Sequence, residues 1–142
     1  MSKYIHANHE AGIRFYQNFH DKGKIVMLNL LKFRKIADYT NLEGLQPAEK
    51  ISGEEAYQLY LTNTLPELEK AGSRILYYGK CNNYLIGPES EVWDLMLLVE
   101  HQSVSKFIEF AQKDTYLKNE GHRTAALEDS RLMPSSEIKN NT

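Results

Sequence analysis

Cysteine is almost absent. Cys81 stands alone, which excludes an intramolecular disulfide and any metal site built from thiolates, and fits a reducing compartment, the cytoplasm. Long apolar runs are missing as well: no stretch approaches the ~20 residues needed to cross a bilayer. The first residues, Met1-Ser2-Lys3-Tyr4-Ile5-His6, lack the apolar centre of a secretory signal, so a soluble chain that is not exported is expected. Neither sign of charge dominates, with 17 basic residues against 19 acidic ones and a net charge of -2. That balance offers no global attraction to nucleic acid or to an anionic membrane, and neither partner is expected. Gly72 and Gly79 stand apart from other glycines, so no phosphate-cradling loop or dinucleotide fingerprint is present and no cofactor is expected. His6 and His9 are three apart, His20, His101 and His122 are scattered, and no His-Glu-x-x-His spacing occurs; no metal is expected.

What the chain does have is enough length for one core. Its 142 residues, 42% of them hydrophobic, fit one domain that needs no metal or disulfide. Residues 8–21 place Ile13, Tyr16 and Phe19 at helical spacing behind a capping Asn8, which predicts a short amphipathic helix. After Gly23 the run Ile25 to Phe33 reads as a strand, and Arg34 to Lys50 reads as a long polar loop able to cover a pocket mouth. Ser52 and Glu55 have the spacing of a capping box, opening a helix that Pro66 should bend and Gly72 should stop. Two apolar runs follow, Ile75 to Ile86 and Val92 to His101, read as a hairpin with a short polar connection. Ser103 caps a helix, Asp114 caps a further short one reaching toward Thr124, and Leu127 to Met133 is the last strand.

The core order is therefore β-α-β-β-α-β, an α+β, ferredoxin-like split βαβ arrangement with an antiparallel sheet and an extra N-terminal helix. Residues 1–24 form the helical extension, 25–133 the core and 134–142 a flexible tail. Helices in this order cover one sheet face. Strict alternation would give the second strand Leu76, Tyr78 and Tyr84 on one side and Ile75, Tyr77 and Leu85 on the other. Both faces thus need burial, and a second copy of the chain supplies the missing layer.

Polar residues concentrate where the last helix meets the last strand, in Gly121-His122-Arg123-Thr124-Ala125-Ala126-Leu127-Glu128-Asp129-Ser130-Arg131. His122 is either a general base or a helix-terminal imidazole bonded to backbone. Arg123 either clamps a ligand carboxylate or enolate, or pairs with Glu128 or Asp129. Asp129 either orients His122 or Arg123, or is a solvent-facing edge acid. Asn29 interrupts an apolar strand, so its amide either fixes a ligand carbonyl or satisfies neighbouring backbone. Tyr57 and Tyr60, three apart on a helix, suit packing with a wet hydroxyl or the wall of a pocket. Tyr78 and Trp93 are further pocket candidates, with only one of Trp93 and Asp94 able to face a cavity from a strand.

Asn29-Leu30-Leu31-Lys32-Phe33, Gly53 with Tyr57 and Tyr60, Ile86-Gly87-Pro88 with Trp93-Asp94, and His122 to Arg131 together resemble the bacterial family called domain of unknown function 1330. The likeness spans residues 25–133. It implies membership of the dimeric α+β barrel superfamily and a homodimer whose sheets close around barrel-like cavities. That superfamily holds haem-degrading monooxygenases, cofactor-free quinone-forming monooxygenases, muconolactone isomerase-like enzymes and polyketide-processing enzymes, and fold alone does not choose among them. Asn29 and His122 stand where the haem-degrading branch has an asparagine and a histidine, but Phe110-Ala111-Gln112 departs from that branch's helix tryptophan.

The leading expectation is a cytoplasmic homodimer that binds a small organic ligand, with cofactor-independent acid-base or monooxygenase-type chemistry. His122 and Arg123 would be catalytic, and Asn29, Tyr57, Tyr60, Tyr78, Trp93 and Asp129 would bind the ligand. The alternative is a ligand-sequestering or interaction dimer without turnover, and the third reading is a haem-binding or haem-degrading protein.

Overall fold

The computed structural model describes residues 2–139. The elements run α1 (His9–Phe19), β1 (Ile25–Phe33), α2 (Gly53–Lys70), β2 (Arg74–Lys80), β3 (Leu95–His101), α3 (Val104–Ala111), α4 (Asp114–Ala126) and β4 (Leu127–Ser135). The four strands form one antiparallel sheet in the order β2-β3-β1-β4. This is the ferredoxin-like arrangement, with α1 as the added N-terminal helix and α3 and α4 sharing the second crossover.

Local chemistry explains most of the boundaries. Asn8 Oδ1 accepts from the Ala11 amide at 2.7 Å, and Gly23 supplies a left-handed turn at φ 73° between α1 and β1. At the start of α2 the Glu55 amide donates to Ser52 Oγ at 3.0 Å while the Ser52 amide donates to Glu55 Oε1 at 2.9 Å. This reciprocal cap satisfies two of the amides that a helix start leaves without partners. Pro66 is accommodated inside α2. Ser103 Oγ caps α3 through the Lys106 amide at 3.1 Å.

One sheet face carries the core. Leu31, Leu95, Leu97 and Val99 pack against Ala56, Tyr57, Leu61 and Leu68 of α2 and against Phe110 and Ala126. A second cluster gathers Ile25, Met27 and Val104 with Phe15 and Phe19 of α1 and Phe107 of α3. An unbroken series of ring contacts joins them, running Phe33, Tyr57, Tyr60, Tyr116, Phe110, His101, Phe107, Phe15. The opposite face bears Val26, Leu28 and Leu30 of β1, Met96 and Leu98 of β3, Tyr77 of β2 and Met133 of β4, all partly or largely open to solvent.

Several sequence expectations are corrected. The strand expected to reach Ile86 ends at Lys80, and β3 begins at Leu95 rather than Val92. After one further bond, from the Cys81 amide to the Asp94 carbonyl at 2.9 Å, the chain leaves the sheet. Tyr84, Leu85 and Ile86 therefore lie in a 14-residue connection, residues 81–94, rather than on a strand. The expected alternation along β2 also fails. The register shifts between Ile75 and Tyr77, so Ile75 opposite Val99 and Tyr78 opposite Leu97 share the helix-covered side, while Tyr77 opposite Leu98 turns away. A bulge at Leu76 absorbs the extra residue and reverses the phase of everything after it.

Asp114 is not a cap but the first residue of α4, and Lys113 at the cap position makes no side-chain bond. The helix is 13 residues long, carrying His122 and Arg123 in its last turns. β4 takes Pro134 and Ser135 from the expected tail, opposite Met27 and Val26. An edge strand tolerates Pro134 because its missing N–H removes no ladder bond on the outer side. The remainder of the expected tail from Asn140 onward lies outside the described residues.

Candidate functional site

Most of the polar residues around the α4–β4 junction bind the N-terminal segment. Arg123 Nη1 donates to the Ile5 carbonyl at 2.7 Å, and its Nη2 lies 3.5 Å from Ser130 Oγ. Ser130 Oγ donates to the Tyr4 carbonyl at 2.5 Å. Asp129 Oδ1 accepts from the amides of Tyr4 and Ser130, each at 2.8 Å, and from Arg131 Nη1 at 2.7 Å. Burial works against charge on Asp129, yet the Tyr4 amide, the Arg131 guanidinium and the Ser130 amide together hold its carboxyl below the ordinary value. Glu128 meets Lys3 and Lys32 at 3.4 and 3.3 Å. Residues 3–5 are thus strapped across the α4–β4 junction by charge-assisted bonds.

His122 turns the other way, toward the long loop. It is buried, and Tyr39 Oη lies 2.8 Å from its Nδ1 with the two rings edge to face. Burial depresses the imidazole and raises the phenol, so both are neutral near pH 7. The loop is held against α4 by backbone bonds, Arg34 amide to Ala126 carbonyl at 2.8 Å and Asp38 amide to Ala125 carbonyl at 2.9 Å. Gly121 lies against the side chain of Leu45, whose methyl group an added Cβ would displace.

The remaining expected site residues are dispersed. Asn29 lies on the helix-covered side and its Nδ2 makes long bonds, 3.4 and 3.3 Å, to the carbonyls of Met27 and Leu97. Tyr57 is buried against Phe33, and burial pushes its phenol up. Tyr60 donates to Tyr116 Oη at 3.1 Å. Tyr78 Oη accepts from Gln58 of α2 at 2.5 Å. Trp93 is buried and its Nε1 donates to Tyr84 Oη at 2.7 Å.

A cleft of about 500 Å³ opens between the start of α2 and the ends of β1, β2 and β3. Its walls include Phe33, Tyr78 and Leu95, with Arg34, Lys35 and Lys80 as cations and Glu54 and Asp94 as acids. Asp94 is occupied, accepting the Phe33 amide at 2.8 Å. Among the described residues, none of the three cations forms an ion pair. Cys81 lies at the rim, its thiol pushed up by burial and then by Asp94, so it is not a poised nucleophile. A smaller cavity of about 140 Å³ lies nearby, lined by Lys3, Lys32, Glu91, Trp93, Glu128 and Asp129 among others. Because Lys32 and Phe33, and likewise Trp93 and Asp94, are chain neighbours, the two cavities flank the same sheet end.

The structure therefore brings Trp93 and Asp129 together at the small cavity and puts Tyr78 in the cleft, while His122, Arg123, Asn29, Tyr57 and Tyr60 line neither. Sequence reading missed Tyr39 and Lys80 altogether. Lys80 carried no signal, and Tyr39 sat in a polar loop without periodicity. Lys32, Arg34 and Lys35 do stand together in the sequence as a small basic cluster beside the loop. Among the described residues no three His, Cys, Asp or Glu side chains are grouped to hold a metal. No helix among them is long and apolar enough to cross a membrane.

No protein-family model matches the chain, and no curated protein does. Among solved structures, the RPA0582 protein of unknown function from Rhodopseudomonas palustris is 32% identical, with a TM-score of 0.86 and coverage of 98% of this chain and all of that one. The methylated form of RPA0582 gives the same identity and TM-score over 100% of both chains. A Caulobacter crescentus CB15 protein named for antibiotic biosynthesis monooxygenases is 9% identical over 89% of this chain and 99% of its own, with a TM-score of 0.51. That last likeness is one of fold alone. The identity and coverage to RPA0582 carry more: the chain belongs to the same family as the Rhodopseudomonas palustris RPA0582 protein.

Proposed function

We propose that the chain is a cytoplasmic homodimer that binds a small organic anion, an acid with an apolar body, in the cleft between α2 and the ends of β1, β2 and β3. The observation that carries this reading is the cleft itself. Its volume of about 500 Å³ suits a small-molecule site, which typically occupies 300–1,000 Å³. Phe33 and Leu95 offer apolar contact, Tyr78 a hydroxyl, and Arg34, Lys35 and Lys80 positive charge that enters no ion pair among the described residues. The homodimer is supported by the half-open apolar face of the sheet, which a second copy would bury. The motifs at Asn29–Phe33 and His122–Arg131 support placing this family within domain of unknown function 1330.

Native mass spectrometry of protein purified from its own host tests the reading. The expected spectrum is two chains plus a reproducible small mass that disappears in Lys35→Glu/Lys80→Glu. A protein that emerges without any adduct, or an adduct indifferent to the double reversal, sinks the cleft reading.

One observation favours a second reading, proton transfer at His122. Its imidazole is kept neutral by burial and its Nδ1 is tied to Tyr39, an arrangement that holds the ring in place as an oriented base. Because His122 lines neither cavity, this reading requires the loop that carries Tyr39 to move aside; with the co-purified compound as substrate, His122→Asn would then abolish conversion while binding and dimer mass persist. Unchanged turnover in that variant removes His122 from any mechanism. Haem fits these residues poorly, because His122 is covered by the loop and lines neither cavity.

A further inference from the structure

We infer that residues 81–94 form an arm that clasps the second copy of the chain, seating Leu85 and Ile86 on that copy's bare sheet strip. The inference rests on the homodimer reading and adds where the two chains grip each other. Leu85 is 99% exposed and Ile86 91% exposed, adjacent in sequence and flanked by ordered structure. A single exposed leucine needs no explanation, but two fully open aliphatic side chains at the tip of a braced loop do.

The bracing fixes both the shape of the arm and the side on which it stands. Arg131 pairs with Leu30 in the register of β4 and β1, which puts it on the bare face. Its guanidinium lies 5.0 Å from the centroid of Trp93 and 4.9 Å from that of Tyr4, and it meets Glu91 at 3.6 Å. Trp93 Nε1 donates to Tyr84 Oη, which donates to Glu91 Oε2 at 2.6 Å. The Tyr84 ring folds over Gly87, where an added Cβ would fall 2.5 Å from a ring carbon. With Tyr84 turned inward, the next two side chains have no wall of their own to pack on. A shape held this firmly before association loses little freedom when it binds.

The arm and the apolar strip it would meet, Val26, Leu28, Leu30, Met96 and Leu98, are thus on one face of one protomer. A two-fold dimer joins identical patches, so each arm descends on the other copy's strip and both are buried at once. Size argues the same way. A stable interface takes some 20–30 residues from each partner, more than the seven apolar side chains that the strands present on the bare face, Tyr77 and Met133 included.

Analytical ultracentrifugation of the full chain and of Leu85→Ser/Ile86→Ser is the test, paired with a photo-crosslinking residue at position 85 in otherwise native protein. Both positions are exposed in the protomer, so the double substitution leaves the fold intact. The expected result is a dimer dissociation constant raised about 100-fold or more by the pair, with crosslinks from position 85 to residues 26–30 or 96–98 of the other chain, identified in isotope-mixed dimers. An unchanged dissociation constant, or crosslinks confined to the same chain, overturns the arm and leaves the dimer standing. A wild-type chain that sediments as a monomer overturns the homodimer and the arm together.

Discussion

The guanidinium of Arg123, in the last turn of α4, donates at 2.7 Å to the carbonyl of Ile5, 118 residues earlier in the chain. A charged donor reaching across the fold to a backbone acceptor is stronger than a neutral bond, with a net value of about 1.5–3 kcal/mol. Arg123→Met keeps the aliphatic stem and removes that bond. The expected outcome is a loss of about 2 kcal/mol in urea unfolding and faster hydrogen exchange confined to residues 3–6. Unchanged protection there would mean that Asp129 and Ser130 hold the strap without help.

How far such a relationship was visible beforehand depends on distance along the chain. Local signals read well: Asn8, Ser52 and Ser103 cap helices in the structure as their types and spacing suggest, and Ile25 to Phe33 is a strand over its whole length. The region after Gly72 read less well, because Tyr84-Leu85-Ile86 has strand-like composition but lies outside the sheet, where Tyr84 Oη donates to Glu91 and accepts from Trp93 Nε1. The bulge at Leu76 has no local signature, yet it decides which tyrosine faces α2. At the α4–β4 junction the density of polar groups was legible and its use was not. His122 and Arg123 are neighbours whose directions differ by about 100° on a helix, and their partners Tyr39 and Ile5 come from separate segments, the long loop and the N-terminal strap.

Gly53 opens α2 at a point where no side chain fits. An added Cβ would collide with the carbonyl oxygens of Arg34 and Ala126, and both carbonyls are already bonded, to the Gly53 and Arg34 amides. Backbone in bonded contact yields less readily than a side chain does. Gly53→Ala should therefore lose about 3 kcal/mol or more through overpacking, despite the better helix propensity of alanine. A melting temperature equal to that of the parent would show that the junction between β1, α2 and α4 is looser than its geometry implies.

His101 sets a pH window. It is buried at the end of β3, with Nδ1 2.7 Å from Ser73 Oγ and Phe107 edge-on at 4.9 Å. Burial drives its imidazole down to about 4, well below the ordinary 6.5. Above pH 6.5 the histidine is neutral in both folded and unfolded chains, and its contribution to stability is complete. As the pH falls below 6.5 the unfolded chain takes up the proton first and stability declines, until the folded form is protonated too near pH 4. The loss over that window is on the order of 3 kcal/mol. Urea titrations at pH 7.5 and 4.5 should differ by roughly that amount or more, and His101→Gln should shrink the difference to what groups such as His122 and Asp129 contribute. An NMR titration with His101 midway near 6.5 would overturn the assignment.

Thr64 on α2 presents the opposite case, a polar group without a partner. It is 2% exposed, and its Oγ1 is the one buried side-chain oxygen or nitrogen among the described residues that makes no hydrogen bond. An unsatisfied buried hydroxyl costs about 1–3 kcal/mol relative to one that is paired. Threonine could return its proton to the carbonyl one turn back, as it commonly does in helices, but that bond is not formed here. Valine has nearly the same shape and β-branching, so the backbone would be unaffected while the stranded hydroxyl is removed. Thr64→Val is accordingly expected to stabilise the fold by about 1 kcal/mol, read as a higher urea midpoint with an unchanged slope. Thr64→Ser keeps the hydroxyl, discards the methyl group and should destabilise. If valine proved as damaging as serine, the hydroxyl would have to be bonded in solution, and α2 would pack differently around Leu61 and Leu68.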